Sequence, residues 1–244
     1  MPSIADLKIK IFADGADFES LTSLYAKPFI KGFTTNPTLM RKANVANYKE
    51  FARKVLSMIK DRPVSLEVFA DEFDAMEAQA IEIASWGHNV NVKIPVSNTR
   101  NEFSGNLIKK LCAHGVVVNV TAVFTLEQVR EIAKVLDPEV PAIVSIFAGR
   151  IADTGVDPVP LMREALSILS NHPRAELLWA SPREVLNVFQ ANDIGCHIIT
   201  VTSDVLAKLN NIGKDLQEFS LDTVKMFYND AASACYSIEI PINK

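Results

Sequence analysis

Short apolar runs, most of them rich in β-branched residues, alternate along the chain with longer segments of helical period. Such runs are typical of strands buried on both faces, as in a parallel sheet covered by helices. The predicted strands cover about 9–13, 30–35, 64–69, 89–96, 116–120, 142–147, 175–180 and 197–201. Eight strand–helix units in series predict an α/β fold in which the sheet closes into a single (β/α)8 TIM barrel.

The segments between these strands predict the helices of the barrel. They pass through 18–21, cover about 45–59, 100–113, 159–170 and 203–208, and start near residues 71, 125 and 182. Pro37 predicts a loop after the second strand, and Gly115 the end of the helix at 100–113. An additional helix at 221–234 lies in a C-terminal extension of about 215–244, beyond the barrel.

Length and composition suit one globular domain over 1–244. No Gly-x-Gly-x-x-Gly follows the first strand, which disfavours a doubly wound open sheet. The net charge of −4 and the absence of a clustered Lys/Arg face predict no nucleic-acid partner. No signal-peptide core or membrane-spanning segment is visible, so we expect a cytoplasmic protein without a membrane partner. The three cysteines and four histidines lack disulfide or ligand spacing, so no metal is expected.

Lys93 lies within the apolar run Asn89–Val96, where a lysine is unusual. Desolvation weakens the preference of a lysine for the ammonium form, and a neutral amine can attack a carbonyl to form a Schiff base. The alternative is a structural lysine that reaches water at the strand end or pairs with a carboxylate.

Polar residues lie near the C-terminal ends of seven predicted strands, where barrels assemble their active sites. They are Asp14, Thr34, Asn36, Glu67, Lys93, Asn119, Thr121, Ser145 and Ser181. Strand alternation places Ser65 with Glu67 on one face of their strand. It likewise groups Asn89 and Asn91 with Lys93, and Asn119 with Thr121. These positions predict one functional cleft.

The chemistry of these side chains suggests their roles. Asp14 and Glu67 are candidate general acid–base groups, or alternatively salt-bridge partners of Lys93. Asn36, Asn119 and Ser145 could hold sugar hydroxyls, and Thr121 could position a water molecule.

Two arginines follow neighbouring strands near the end of the predicted barrel. Arg150 follows the sixth strand, and Arg183 follows the seventh at a predicted helix start. Barrel phosphate sites cluster near the last strands, and a guanidinium matches phosphate geometry. Each arginine alone could be a surface cation, but together they favour a phosphorylated substrate.

Five segments resemble the transaldolase family in order along the chain. They are Phe12-Ala13-Asp14, Thr34-Thr35-Asn36-Pro37-Thr38, Val92-Lys93-Ile94-Pro95-Val96, Asn119-Val120-Thr121-Ala122-Val123-Phe124 and Gly149-Arg150-Ile151. The resemblance covers about Ile9 to Leu206, and it implies a Schiff-base enzyme of the pentose phosphate pathway that needs no cofactor. The implied catalytic residues are Lys93 as the imine-forming lysine, Asp14 as the acid–base group, and Glu67 with Thr121 for the catalytic water. The implied substrate-binding residues are Thr34, Asn36, Asn119, Ser145 and Phe147, with Arg150, Ser181 and Arg183 for phosphate.

The family resemblance leaves two activities to separate. Its fructose-6-phosphate aldolase branch typically has Gln at the position of Glu67 and Tyr at that of Phe147, so both residues favour a transaldolase. Pro182 departs from the more usual aromatic and weakens the match of the phosphate loop. A rival of another class is a non-catalytic barrel that only binds a phosphosugar. We also expect a homo-oligomer, with phosphosugars as the small-molecule partners.

Overall fold

A computed structural model describes residues 4–240, and its centre is a closed barrel of eight parallel strands in sequential order. The first strand pairs with both the second and the eighth, which closes the sheet. The strands are β1 (Lys10–Asp14), β2 (Ile30–Thr34), β3 (Val64–Glu67), β4 (Val90–Pro95), β5 (Val118–Val123), β6 (Ala142–Ile146), β7 (Ala175–Trp179) and β8 (Ile198–Thr202). The predicted (β/α)8 TIM barrel is confirmed.

Helices follow every strand, and one additional helix follows the barrel. They are α1 (Phe18–Tyr25), α2 (Pro37–Lys42), α3 (Tyr48–Met58), α4 (Phe73–Ala84), α5 (Gly105–Ala113), α6 (Leu126–Val135), α7 (Ala148–Ala152), α8 (Pro158–Leu169), α9 (Leu186–Asp193), α10 (Ser203–Lys208) and α11 (Leu216–Ser233). Side-chain caps define many helix starts. Thr125, for example, forms a capping box with Gln128 at the start of α6.

Several predicted boundaries are wrong, and each has a local cause. Pro37 begins the short helix α2 rather than a loop, because Asn36 caps that helix and proline is favoured at a first helical position. The helix predicted from residue 100 begins only at Gly105, since Asn101 adopts a left-handed conformation and Ser97 bridges Phe103.

Two more predicted boundaries differ from those of the structure. The fifth strand covers Val118–Val123 instead of 116–120, and α11 begins five residues early because Asp215 caps it. By contrast, Gly115 ends α5 as predicted, with a positive φ that glycine adopts without strain.

The apolar core has two layers. The larger layer lies between the strands and the surrounding helices, whereas a small inner cluster fills the barrel. The inner cluster comprises Phe12, Ile143, Leu178, Ala180 and Ile198, with Phe147 packed against it. Gly32 is required beside it, because a Cβ there would lie 2.5 Å from the Phe12 ring.

The C-terminal helix α11 contributes nothing to this core. None of its residues is buried, although it carries large apolar side chains on several sides. They include Leu216, Phe219, Leu221, Val224, Met226, Phe227 and Tyr228. Within 4–240, none of the helices combines the length and apolar character that crossing a bilayer requires.

Candidate active site

A cavity of about 350 Å³ opens at the C-terminal ends of the strands, above the inner cluster. Eleven of the twelve predicted site residues line it, so the structure brings them together. They are Asp14, Thr34, Asn36, Glu67, Lys93, Asn119, Thr121, Ser145, Phe147, Arg150 and Ser181. The position at this end of the barrel agrees with the general location of chemistry in this fold.

Lys93 projects from β4 into the barrel and is 8% exposed. Its Nζ lies 2.9 Å from Oε2 of Glu67 and donates a hydrogen bond of 2.6 Å to the carbonyl oxygen of Thr35. Strand register explains the first contact, because Glu67 and Lys93 are paired residues of β3 and β4. The amine is therefore held at the cavity wall by a carboxylate and a backbone dipole.

Glu67 is buried, and its two carboxylate oxygens have different surroundings. Oε2 faces Lys93, whereas Oε1 is buried with no hydrogen-bond partner among residues 4–240. Burial raises the pKa of Glu67, and the nearby ammonium of Lys93 only partly offsets this effect. The Tyr48 hydroxyl accepts a 2.8 Å bond from the backbone N–H of Glu67 and thereby anchors β3 at this point.

Asp14 ends β1 and lines the same cavity as Lys93. Its carboxylate accepts a 2.8 Å hydrogen bond from Thr34 Oγ1 and a 3.2 Å bond from Asn36 Nδ2. Burial raises the pKa of Asp14, while the charge of Lys93 and the bonds from Thr34 and Asn36 act in the opposite direction. The cavity thus holds two carboxyl groups that bind a proton up to a higher pH than ordinary Asp and Glu side chains do.

Asn36 has two structural tasks. Its Oδ1 accepts a 2.9 Å hydrogen bond from the backbone N–H of Leu39 and caps α2, while its Nδ2 contacts Asp14. The cap fixes the side-chain orientation, because one face of the amide is committed to the helix. The Nδ2 group of Asn36 is therefore held in the cavity beside Asp14.

A buried polar chain crosses the barrel floor between β6 and β3. Ser145 Oγ donates a 2.7 Å hydrogen bond to Asn119 Oδ1, and Asn119 Nδ2 donates a 3.2 Å bond to Ser65 Oγ. Asn119 is also the register partner of Lys93. These bonds fix the amide of Asn119, so its position relative to Lys93 is determined before any ligand binds.

Arg150 and two aromatic rings form the rim on the β5–β6 side. The rings of Phe124 and Phe147 stack with centroids 5.6 Å apart and planes 15° apart. The guanidinium of Arg150 lies over the Phe147 ring at 5.2 Å. Stacking restricts the guanidinium while its N–H groups stay available for an anion.

The loop after β7 packs closely against the start of α7. The backbone N–H of Gly149 donates a 3.2 Å hydrogen bond to the carbonyl of Ala180, and a Cβ at Gly149 would lie 1.5 Å from the carbonyl oxygen of Ser181. Ser181 itself has a positive φ of 58°. A strained non-glycine residue at a cavity rim is held there by its surroundings, which is common at binding sites.

Arg183 is the predicted site residue that does not line the cavity. Its guanidinium makes a forked ion pair with Asp153, and the side chain is about half exposed. The predicted helix start at this position is also wrong. Helix α9 begins at Leu186, and Asn187 Oδ1 accepts bonds from the backbone N–H groups of Arg183 and Glu184.

Sequence reasoning missed the contribution of the eighth strand. Thr200 and Thr202 line the cavity, and the Thr200 hydroxyl shares a short hydrogen bond with Thr34. Their alternation in the run Ile198–Thr202 was a usable signal, the same one that placed Asn119 with Thr121. Phe124 was missed as well, because its role depends on a contact with Phe147 from another strand.

Within residues 4–240, no three His, Cys, Asp or Glu side chains are grouped so that they could hold a metal ion. The cavity itself contains an amine, two carboxyl groups and several neutral donors. An amine beside proton-carrying groups can form an imine with a carbonyl substrate and move protons during the reaction.

Comparison with known proteins agrees with this arrangement. A family model described as Transaldolase/Fructose-6-phosphate aldolase matches residues 11–238. A "Probable transaldolase" of Nitrosopumilus maritimus (strain SCM1) is 34% identical over 203 residues, which cover 82% of this chain and 87% of the relative. Another from Dehalococcoides mccartyi is 33% identical over 202 residues, covering 82% and 90%.

Similarity to solved structures extends to the fold alone. The structure of 2,3-dimethylmalate lyase, a member of the PEP mutase/isocitrate lyase superfamily, superposes with a TM-score of 0.56 at 10% sequence identity. The match covers 99% of this chain and 89% of that chain. At this identity the two proteins share an architecture, and activity must be argued from the site.

Proposed function

Because the chain belongs to the transaldolase/fructose-6-phosphate aldolase family, we propose that it is a transaldolase. The reaction is transfer of a dihydroxyacetone unit from sedoheptulose 7-phosphate to glyceraldehyde 3-phosphate, which yields erythrose 4-phosphate and fructose 6-phosphate. The observation that carries the proposal is the buried Lys93 amine, which shares one cavity with the carboxyl groups of Asp14 and Glu67.

The proposed reaction begins with a covalent step at Lys93. Its amine, after losing a proton to Glu67, adds to the ketose carbonyl to give a carbinolamine. Loss of water then forms the protonated imine. The 2.9 Å contact with Glu67 supports this step, because a carboxyl group with a raised pKa is a suitable proton carrier.

Carbon–carbon cleavage follows, with Asp14 as the base. Asp14 takes the proton from the hydroxyl on the fourth carbon, the bond between the third and fourth carbons breaks, and the released electron pair moves into the imine to give an enamine. The aldehyde product leaves, and the enamine adds to the acceptor aldehyde as Asp14 returns the proton. Microscopic reversibility requires the same group in both directions.

Hydrolysis of the second imine requires a positioned water molecule. Thr121 lines the cavity, and the buried Oε1 of Glu67 has no partner among the described residues. These two groups support the proposed water site, since a buried carboxylate oxygen without a partner is costly unless a ligand or water satisfies it.

Phosphate recognition is proposed at Arg150 and Ser181, which both line the cavity. The stacked guanidinium supplies charge, and Ser181 supplies a hydroxyl to the same cavity. The role predicted for Arg183 stays a prediction, because its guanidinium would have to leave Asp153 to reach a phosphate group.

Fructose-6-phosphate aldolase is the second candidate, since the family contains both activities. The presence of Glu67 and Phe147 supports the transferase. The assay supplies fructose 6-phosphate with and without an aldose acceptor. Release of free dihydroxyacetone at a rate that the acceptor does not change would contradict the transferase.

The imine itself is tested by borohydride reduction in the presence of fructose 6-phosphate, followed by mass spectrometry. We expect a stable adduct on Lys93, and none in a Lys93→Ala variant that remains folded. An unmodified Lys93 in the wild-type protein would instead favour the non-catalytic phosphosugar-binding barrel. The cytoplasmic location and the place in pentose phosphate metabolism stay predictions.

Self-association is proposed for the exposed helix α11. Apolar side chains on several faces of one unburied helix are unusual for a monomer, and a second copy of this chain would remove them from water. Light scattering tests this directly. Val224→Glu/Phe227→Glu is expected to lower the measured mass, whereas a wild-type mass equal to one chain would contradict the proposal.

A further inference from the structure

A second cavity, of about 400 Å³, opens at the opposite end of the barrel, below the inner cluster. Its lining residues are Lys10, Phe12, Lys31, Pro63, Asn91, Val117, Pro141, Ala142, Ile143, Arg174 and Glu176. None of these residues lines the catalytic cavity, and the Phe12 ring belongs to the cluster between the two. The N-terminal end of such a barrel usually serves stability, so a cavity lined by four charged residues there requires an explanation.

The cavity lining carries an excess of positive charge. Three cations and one carboxylate face it, and the carboxylate of Glu176 is engaged by Lys10 at 2.7 Å. Among residues 4–240, Lys31 and Arg174 make no ion pair; each donates to a backbone carbonyl, that of Pro28 or Glu139. Both keep donors free, because an ammonium has three N–H groups and a guanidinium has five.

Asn91 provides an independent observation. It is 8% exposed and lines this cavity, yet its side-chain amide makes no hydrogen bond within the described part of the chain. Its amide therefore keeps its donors and its acceptor available to a molecule in the cavity.

We propose that this cavity is a binding site for a small organic dianion, such as a phosphate monoester. Lys31 and Arg174 bind the charged group at the mouth, and Asn91 binds an uncharged hydroxyl or carbonyl deeper in the barrel. A dianion would balance the two unpaired cations, and a cavity of this size accepts a small metabolite. The site is separate from the proposed imine chemistry at Lys93.

Inorganic phosphate is the probe, and its stabilising effect on thermal unfolding is the readout. The background is Arg150→Gln, which removes the proposed phosphate contact of the catalytic cavity. We expect saturable stabilisation in this background. Adding Lys31→Gln and Arg174→Gln should raise the phosphate concentration for half-maximal stabilisation about tenfold or more, since charge-assisted hydrogen bonds are lost.

Lys42→Gln/Lys208→Gln is the matched control, because it removes the same charge from residues that do not line this cavity. It should leave the phosphate response unchanged. If Lys31→Gln/Arg174→Gln and Lys42→Gln/Lys208→Gln gave the same phosphate concentration for half-maximal stabilisation, phosphate would be stabilising the protein non-specifically. That result would overturn the proposal. A crystal structure of Arg150→Gln with phosphate adds a second readout. Density beside Arg174 supports the site, and density only elsewhere refutes it.

Discussion

Lys93 and Glu67 form a buried ion pair, with 2.9 Å between Nζ and Oε2, at adjacent register positions of β4 and β3. Both side chains are more than nine-tenths buried. Such a pair contributes little net stability, because the desolvation of both charges offsets their attraction. Its presence at the wall of a cavity fits the proton transfer that we propose between Glu67 and Lys93.

The coupling between these two residues is measurable by a double-mutant cycle. Lys93→Met is expected to lower the free energy of unfolding by about 3 kcal/mol, because Glu67 then remains buried without its counter-charge. Adding Glu67→Leu should recover most of that loss. Urea unfolding at one protein concentration measures both changes. Strictly additive losses would show that the pair is not coupled.

The stability of the protein should depend on pH through Asp14. Its pKa is raised by burial above the ordinary value of 3.8, so the native state binds the proton more tightly than the unfolded chain. This contribution is fully present below 3.8 and is lost as pH rises through the native pKa. Relative to Asp14→Asn, the wild-type protein should therefore lose stability with rising pH across that window.

A matched carboxylate with the opposite shift provides the control for this experiment. The hydrogen bond from Ser20 lowers the pKa of Asp17, the cap of α1. Its small contribution is therefore present above the ordinary value of 3.8 and is lost as pH falls. Unfolding experiments that give Asp14→Asn and Asp17→Asn pH slopes of the same sign would contradict the assignment.

Gly149→Ala should disrupt the rim where we propose phosphate binding. The new Cβ would lie 1.5 Å from the carbonyl oxygen of Ser181, so one backbone segment must move. We expect a loss of about 3 kcal/mol in stability and a raised KM for phosphorylated ketose. Gly15→Ala is the control, because its Cβ would meet only Leu21, at 3.9 Å. Equal effects of both changes would argue against the steric explanation.

The contact between Gly32 and the Phe12 ring of the inner cluster predicts that one substitution compensates for the other. Gly32→Ala should destabilise the protein by about 2 kcal/mol, since its Cβ would lie 2.5 Å from the Phe12 ring. In a Phe12→Leu background the same change should cost much less, because the smaller side chain can move away. Thermal unfolding of the four proteins measures this difference. An unchanged cost in the Phe12→Leu background would show that the ring is not the obstacle.

Local sequence patterns predicted much of the site. Alternation along single strands placed Asn119 with Thr121, and burial in an apolar run identified Lys93; all three line the cavity. The same alternation could not show that Asn91, two residues before Lys93, faces the opposite end of the barrel. Strand tilt and register decide that point, and both depend on neighbouring strands.

The order of eight strand–helix units and the polar residues at the strand ends are predictable from the amino-acid sequence, because both follow from periodicities within short segments. Which of those residues come into contact depends on how the strands and loops pack together. Arg183 pairs with Asp153 instead of lining the cavity, and Thr200 joins Thr34 across the closure of the barrel. Such contacts link residues far apart in the chain, so no local pattern specifies them; they follow from the closure of the sheet and the packing of its loops.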